Sequence, residues 1–238
     1  MVSIPRHIHL IYFNENPVIP EDYAVYLNTI RSFHPGWNIN IYNAYEARSI
    51  VEANMPDLLH IYDGYELEVQ RLDVFKFVVI YVFGGFFMDF DMLCFKSLDD
   101  ICGHQLILGE EVVLTREECI AKDIQHAQRI ANFMFGSVQR HPFWLDVLTG
   151  ITEKALTKIL NENDVLESTG PALLTNVYHR VKQHYKDITM LLNSNRKCLK
   201  ACEKISCHFG EYAAHLHQGR WRWQTTQTGC LPLKGFKN

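Results

Sequence analysis

The chain has 238 residues, 47% of them hydrophobic, which is enough to form one α/β domain with a sizeable core. Its 23 lysine and arginine residues against 27 aspartate and glutamate residues give a net charge of −4, so the composition does not favour nucleic acid as a partner. The seven cysteines are an odd number in a chain without an evident secretion signal, and reduced thiols are expected.

Neither the N-terminal segment nor the most apolar internal window suggests export or a membrane span. Residues 1–13 contain an arginine and two histidines within their apolar stretch and no small-residue cleavage site, so no signal peptide is predicted. The most apolar window, 74–90, is short and is interrupted by Lys76, two glycines and Asp89. We therefore expect a cytoplasmic protein without a transmembrane segment.

The spacing of apolar residues predicts strands that alternate with helices along most of the chain. In chain order we expect a strand at 4–13, a helix at 21–33, a strand at 37–42, helices at 44–54 and 66–83, strands at 86–91, 105–113 and 132–137, helices at 141–160 and 172–184, and a strand at 188–192. Such alternation is typical of a mostly parallel α/β sheet. We predict one domain over residues 1–223, followed by a flexible tail at 224–238.

Two acidic residues, Asp89 and Asp91, come at the end of the apolar strand predicted at 86–91. Positions i and i+2 of an extended strand point to the same side, so the two carboxylates are expected to converge. An unpaired carboxylate in such apolar surroundings costs several kcal/mol, and a divalent cation resolves the repulsion between two of them. Because Mg²⁺ or Mn²⁺ commonly completes its shell with substrate phosphates, the pair predicts a metal–diphosphate site.

Asp73 and Lys76 lie three residues apart on the preceding helix and therefore share one face. One interpretation is a surface ion pair, worth only ~0–1 kcal/mol. The other is that Asp73 orients a sugar hydroxyl while Lys76 neutralises a phosphate or a developing charge. The apolar neighbours at 74–75 and 77–78 favour the second interpretation.

The segment 71–91 resembles the signature of glycosyltransferase family 32, the DXD sugar-binding group that includes the fungal initiating mannosyltransferase and is remotely related to the clostridial glucosylating toxins. The family pattern is Ser-Asp-x-x-Arg, then Gly-Gly-x-Tyr, then Asp-x-Asp. Lys76 stands in place of the usual arginine and Phe87 in place of the usual tyrosine. The residues that match at the family's spacings are Asp73, Gly84, Gly85, Asp89 and Asp91.

Three further segments are similar to the same family. Residues 4–12 resemble its opening strand, where Tyr12 replaces a tryptophan near the nucleotide base, and residues 168–171 resemble a Thr-Gly-Pro segment on the acceptor side. Residues 214–221 resemble its closing segment, in which His215 and Trp221 match. The resemblance implies donor-binding roles for Ile11, Tyr12, Asp73, Gly84, Gly85, Asp89 and Trp221, and places Thr169, Gly170 and Pro171 beside the acceptor.

The resemblance also implies the fold and the reaction. The fold would be of GT-A type, a Rossmann-like mixed sheet flanked by helices, with additional helices. The reaction would move a hexose with retention of configuration from a UDP- or GDP-sugar to a saccharide, lipid-linked or small-molecule acceptor. Asp73, Lys76, Asp89 and Asp91 would be the catalytic residues. His215 is a candidate third ligand for Mn²⁺ or Mg²⁺, the alternative being an ordinary histidine of a strand or loop.

Two other classes of protein stay open on the residues alone. A metal-dependent phosphohydrolase also uses aspartates at a strand end, but it needs an aspartate nucleophile and more acids nearby, and the next acids are Asp99 and Asp100. A non-catalytic carbohydrate-binding module would explain the aromatic residues at positions 12, 37, 221 and 223. It would not explain a buried acid pair.

Overall fold

The computed structural model describes residues 2–13, 19–121, 123–193 and 207–217. Its strands are β1 (His7–Ile11), β2 (Asn38–Tyr42), β3 (Gly85–Met88), β4 (Met92–Cys94), β5 (Leu106–Val113), β6 (Gln128–Ser137), β7 (Ile188–Leu191), β8 (Cys207–Phe209) and β9 (Ala213–His215). Its α-helices are α1 (Glu21–Phe33), α2 (Ala44–Asn54), α3 (Pro56–Gly64), α4 (Glu68–Phe83), α5 (Arg116–Ala121), α6 (Phe143–Lys154), α7 (Glu162–Ser168) and α8 (Pro171–Val181).

Six of these strands form the main sheet, in the order β2-β1-β3-β6-β5-β7. Strand β6 runs antiparallel to both of its neighbours, whereas the other pairs are parallel. Strands β4, β9 and β8 form a second, antiparallel sheet. The predicted mostly parallel sheet is confirmed, and β6 makes it a mixed one.

Both faces of the main sheet are covered, which explains why β3 is apolar throughout. Successive strand residues face opposite sides, so Phe86 packs with α1 and the small sheet while Phe87 packs with α4, α6 and α8. Within the described part of the chain, no helix is both long enough and apolar enough to cross a bilayer.

The strand predicted at 86–91 ends earlier, at Met88, and the acid pair lies in a turn. The Asp89 amide still donates to the Phe133 carbonyl (2.7 Å), but the chain then leaves the main sheet, and Met92 pairs with His215 in the small one. The Met92 amide closes the turn on the Asp89 carbonyl (3.3 Å). The carboxylates therefore converge through a turn between two sheets and not through strand alternation.

Other differences have local causes. Pro56 ends α2 as predicted but also begins α3, because proline suits the first turn of a helix, where its missing N–H is not needed. Strand β6 begins at Gln128, four residues before the prediction, and α6 ends at Lys154, six residues before it. Helices α5 and α7 and strands β4, β8 and β9 were not predicted from the sequence.

Candidate active site

A cavity of about 360 Å³ opens where β1 and β3 end, with Ile11 and Asp89 at its edge. The carboxyl ends of parallel strands are where ligands bind in open α/β sheets. Apolar groups from α4, α7 and α8 form one wall. The charged and imidazole side chains that line it are Asp73, Lys76, Asp89, Asp91, Glu111, Arg129, His215 and His217.

Asp89, Asp91 and His215 meet in this cavity and offer three ligand atoms that lie within 4.8 Å of one another. His215 Nε2 is 3.0 Å from Asp91 Oδ1 and 3.6 Å from Asp89 Oδ2. The pairing of β4 with β9 places the imidazole there, and the Phe133 ring stacks on it at 4.7 Å. Two carboxylates and one imidazole form a donor set suited to a divalent cation such as Mn²⁺.

The charges of these three groups depend on one another. Burial alone would lower the pKa of His215, but the carboxylates of Asp91 and Asp89 outweigh it and raise that pKa. Burial raises the pKa of Asp89, against the opposing effects of Lys76 and His215. The protonated imidazole thus offsets part of the negative charge of the two carboxylates. A metal ion bound at Nε2 would displace that proton.

Lys76 is buried between two acids, so the interpretation as a surface ion pair is wrong. Its ammonium lies 3.0 Å from Asp73 and 3.5 Å from Asp89, and the side chains of Lys76 and Asp73 are 7% and 6% exposed. The third contact is the Asn132 carbonyl at 3.3 Å. Although burial by itself would lower the pKa of Lys76, Asp89 and Asp73 raise it, which keeps the ammonium charged.

Asp73 is held by donors from three elements. Thr169 Oγ1 donates to Oδ2 (3.0 Å), Asn132 Nδ2 donates to Oδ1 (2.9 Å), and the Lys76 ammonium also reaches Oδ1. Thr169, predicted beside the acceptor, is fully buried and contacts this carboxylate instead. Gly170 packs against the backbone of Leu166, where a Cβ would come within 2.9 Å, so of the predicted acceptor-side residues Pro171 alone lines the cavity.

Gly84 and Gly85 lie at the other end of β3 and do not line the cavity. Gly85 has φ +100°, and a Cβ on it would come within 2.6 Å of the His7 carbonyl oxygen. A Cβ on Gly84, at φ +65°, would come within 2.7 Å of the Gln139 amide nitrogen. The donor-binding role predicted for these glycines is therefore corrected to a structural one, in which they allow the chain to enter the sheet.

The remaining predicted donor residues are placed differently. Ile11 lines the cavity, and Tyr12 packs behind it against the rings of Tyr23 (6.0 Å) and Phe90 (5.7 Å), which line it too. Trp221 lies outside the described residues.

Sequence reasoning missed Asn132, Arg129 and Glu111. Glu111 had a usable signal, because the apolar run of β5 ends in two acids much as the run before Asp89 does. Asn132 and Arg129 had no such signal in the sequence. Asn132 matters because it contacts Asp73 on α4, and Arg129 matters because it acts on Glu111 on β5.

Known proteins share both the motif and the fold. Residues 20–108 match the model for a glycosyltransferase sugar-binding region containing a DXD motif. Inositol phosphoceramide mannosyltransferase 2 of Schizosaccharomyces pombe is 24% identical over 201 residues, covering 82% of this chain and 54% of that protein. Inositol phosphoceramide mannosyltransferase 1 of the same organism is 25% identical over 178 residues, covering 74% and 51%. The chain thus spans about half the length of these curated relatives.

Among solved structures, the PaToxG glycosyltransferase aligns with a TM-score of 0.53 at 15% identity, over 75% of this chain and 70% of that one. This likeness shows the fold, which is the predicted GT-A type. The similarity of residues 20–108 to this sugar-binding region confirms the resemblance predicted from residues 71–91, and the DXD motif in that region is Asp89-Phe90-Asp91.

Proposed function

We propose that this protein transfers a hexose from a UDP- or GDP-sugar to an acceptor hydroxyl, with retention of configuration and with help from Mn²⁺ or Mg²⁺. The observation that carries the proposal is the convergence of Asp89, Asp91 and His215 in a cavity at the strand ends. The two similar mannosyltransferases make mannose the first sugar to test. The acceptor is a saccharide, a lipid-linked molecule or a small molecule.

The charge balance of the cavity supports a divalent cation. Four carboxylates line it, Asp73, Asp89, Asp91 and Glu111, against the two permanent cations Lys76 and Arg129. The surplus of two negative charges equals the charge of one such ion once His215 is neutral. When bound, the ion supplies Lewis acidity that stabilises charge on the departing diphosphate. Asp89, Asp91 and His215 would hold it.

Lys76 acts in this proposal as a positioning residue. An ammonium has three N–H donors, and Asp73, Asp89 and the Asn132 carbonyl occupy all three. Lys76 therefore fixes the orientations of Asp89 and Asp73, and it has no donor left for a phosphate. This replaces direct phosphate contact, the role considered from the sequence.

Asp73 keeps the capacity to orient a sugar hydroxyl. An ionised carboxylate offers about four acceptor positions. Lys76, Asn132 and Thr169 occupy three of them. The fourth, on Oδ2, is available to a hydroxyl of the donor sugar in the cavity that Asp73 lines.

Turnover of nucleotide sugars with and without metal tests the proposal. We expect release of nucleoside diphosphate from GDP-mannose, UDP-glucose or UDP-galactose in Mn²⁺, loss of the activity in EDTA, and its return when metal is added back. NMR of the glycosylated product reports the anomeric configuration. Release of inorganic phosphate without sugar transfer would support the phosphohydrolase, and binding without turnover would support the carbohydrate-binding module.

A further inference from the structure

Glu111 is the carboxylate of the cavity that the proposed chemistry does not yet use. Asp73 is held by three donors, and Asp89 and Asp91 face the cation site. In contrast, the Glu111 carboxylate has no hydrogen bond and no ion pair within 4 Å among the residues that the structure describes. It lines the same cavity from β5.

The backbone holds Glu111 in place while its side chain stays available. Asn193 Nδ2 donates to the Glu111 carbonyl oxygen at 2.6 Å, so the end of β5 is fixed to the segment after β7. The adjacent Glu110 is buried on the other face of the strand, where its carboxylate accepts from Gln128 Nε2 at 2.8 Å. Two neighbouring glutamates thus have different environments, one closed and one open to the cavity.

The surroundings of Glu111 suit a group that accepts a proton. Burial raises its pKa, and the positive charges of Arg129 on β6 and His215 on β9 oppose that rise. The Glu111 carboxylate also acts electrostatically on the Cys207 thiol on β8, where it helps to raise the pKa of that thiol. A carboxylate is a better general base when its pKa approaches the working pH. Asp89 and Asp91 are poorer bases, because a bound cation would stabilise their ionised forms.

We propose that Glu111 is a catalytic residue, the base that takes the proton of the attacking acceptor hydroxyl. This rests on the proposed function. In the step, the bond between the anomeric carbon and the diphosphate oxygen breaks, and its electron pair leaves with the diphosphate. The acceptor oxygen forms the new bond to the anomeric carbon on the face from which the diphosphate departs, as retention requires, and its proton moves to the Glu111 carboxylate. Arg129 faces the same carboxylate and limits the rise of its pKa.

Glu111→Gln separates this role from a structural one, because the amide has the same shape but cannot take the proton. We use GDP-mannose, UDP-glucose and UDP-galactose with Mn²⁺, with either water or sodium azide as the acceptor. With water, we expect turnover to fall by about 100-fold or more, the scale of a lost general base. Azide carries no proton, so it needs no base and should restore turnover in Glu111→Gln as glycosyl azide. Should the variant fail to fold, Glu111→Ala takes its place.

A matched variant and a metal-binding measurement distinguish a lost base from a damaged strand or a damaged cation site. Glu110→Gln, the same change on the opposite face of β5, should keep near wild-type turnover. Mn²⁺ affinity, measured by EPR, should fall only slightly in Glu111→Gln, which removes one charge from the cavity but none of the three candidate ligands. Undiminished turnover of Glu111→Gln with water, a loss that azide does not restore, or a large fall in Mn²⁺ affinity would each overturn the role of Glu111. A wild-type protein that turns over no nucleotide sugar would instead overturn the proposed function.

Discussion

The two ends of β3 carry the glycine pair and the acid pair of the family signature, yet they differ in how their polar groups are satisfied. At the glycine end, His9 Nε2 donates to the Gly84 carbonyl at 2.8 Å and the Tyr42 hydroxyl donates to His9 Nδ1 at 3.0 Å. A carbonyl only accepts, which fixes this tautomer. At the acid end, four carboxylates share a cavity with two permanent cations.

This difference separates a structural motif from a binding site. The glycine end forms a closed set of hydrogen bonds between neutral groups, and nothing is left for a ligand. The acid end retains unbalanced charge and acceptor capacity, which cost stability unless a ligand binds. Substitutions at the two ends should therefore have different signatures, in stability at one and in metal and substrate binding at the other.

The largest expected effect is that of Lys76→Ala, which breaks the link between α4 and the acid end. It leaves the buried Asp73 and its neighbour Asp89 without their cation, so we expect the free energy of unfolding to fall by about 3–5 kcal/mol, together with a loss of turnover. Denaturant unfolding measures the first effect. Lys76→Arg keeps the charge and should lose much less.

Lys96→Ala is the matched control, because Lys96 also contacts two acids, Asp100 and Glu211, but at the exposed surface. Solvent screens such pairs, and little change in stability is expected. If Lys76→Ala were as stable as Lys96→Ala, the burial of the Lys76 network would carry no energetic weight and its positioning role would be untenable.

Asp91→Asn should affect function more than stability. The substitution removes a charged ligand without changing the volume, so we expect metal-dependent turnover to fall by roughly 100- to 1,000-fold, the scale of losing one key electrostatic group. It relieves repulsion between the two acids but also weakens the contact of Asp91 with His215, so the metal-free melting temperature should change little. Calorimetry of the melting transition with and without Mn²⁺ checks both points. A normal metal-induced rise in melting temperature would contradict the ligand role of Asp91.

Most of the fold could be predicted because its signals are local. Helices α1 and α2 have their predicted bounds, since prolines lie on both sides of α1, while Asn43 caps the start of α2 and Pro56 follows its end. Strands β8 and β9 are three residues each, too short for a period, and they depend on pairing, β9 with β4 and β8 with β9. Helix α7 depends on Asn161, whose side chain caps it from the position just after the helix predicted at 141–160.

The site could be predicted only in part for the same reason. Asp73, Lys76, Asp89 and Asp91 lie within one short stretch of the chain, where helix spacing and a strand end indicate that they converge. His215 was found by resemblance alone, since it lies far beyond Asp91 in the chain and only strand pairing brings the two together. The sequence could not show that Gly84 and Gly85 serve packing, because the atoms that exclude a side chain come from other strands and loops.

Gly85→Ala tests the glycine end and should lower the free energy of unfolding by about 3 kcal/mol or more. The backbone strain of a positive φ and the steric clash of the new Cβ both contribute to this loss. A Cβ there would come within 2.6 Å of the His7 carbonyl, whereas one on Gly64 would meet no atom within 4 Å. Gly64→Ala is therefore the control and should be nearly neutral. Denaturant unfolding gives both values. The folded Gly85→Ala protein should bind nucleotide sugar normally, and a selective loss of affinity would restore the donor-binding role.

The smallest expected effect is a pH dependence at the glycine end, from His9. Burial lowers the pKa of His9 from 6.5 to about 4 in the folded protein. The unfolded chain therefore takes up a proton first as the pH falls below 6.5, and stability is lost from there down to about pH 4. By linkage, this one group should destabilise the fold by roughly 2 kcal/mol between pH 8 and pH 5.

His9→Gln isolates this contribution, because a glutamine amide can donate to Gly84 and accept from Tyr42 but does not titrate. Other buried histidines, among them His34 and His141, also have lowered pKa values, so both proteins will lose stability in acid. The informative quantity is the difference between their unfolding free energies, which should narrow by roughly 2 kcal/mol from pH 8 to pH 5. Parallel curves would mean that His9 is not held neutral by burial, and the glycine end could then not be a closed set of hydrogen bonds between neutral groups.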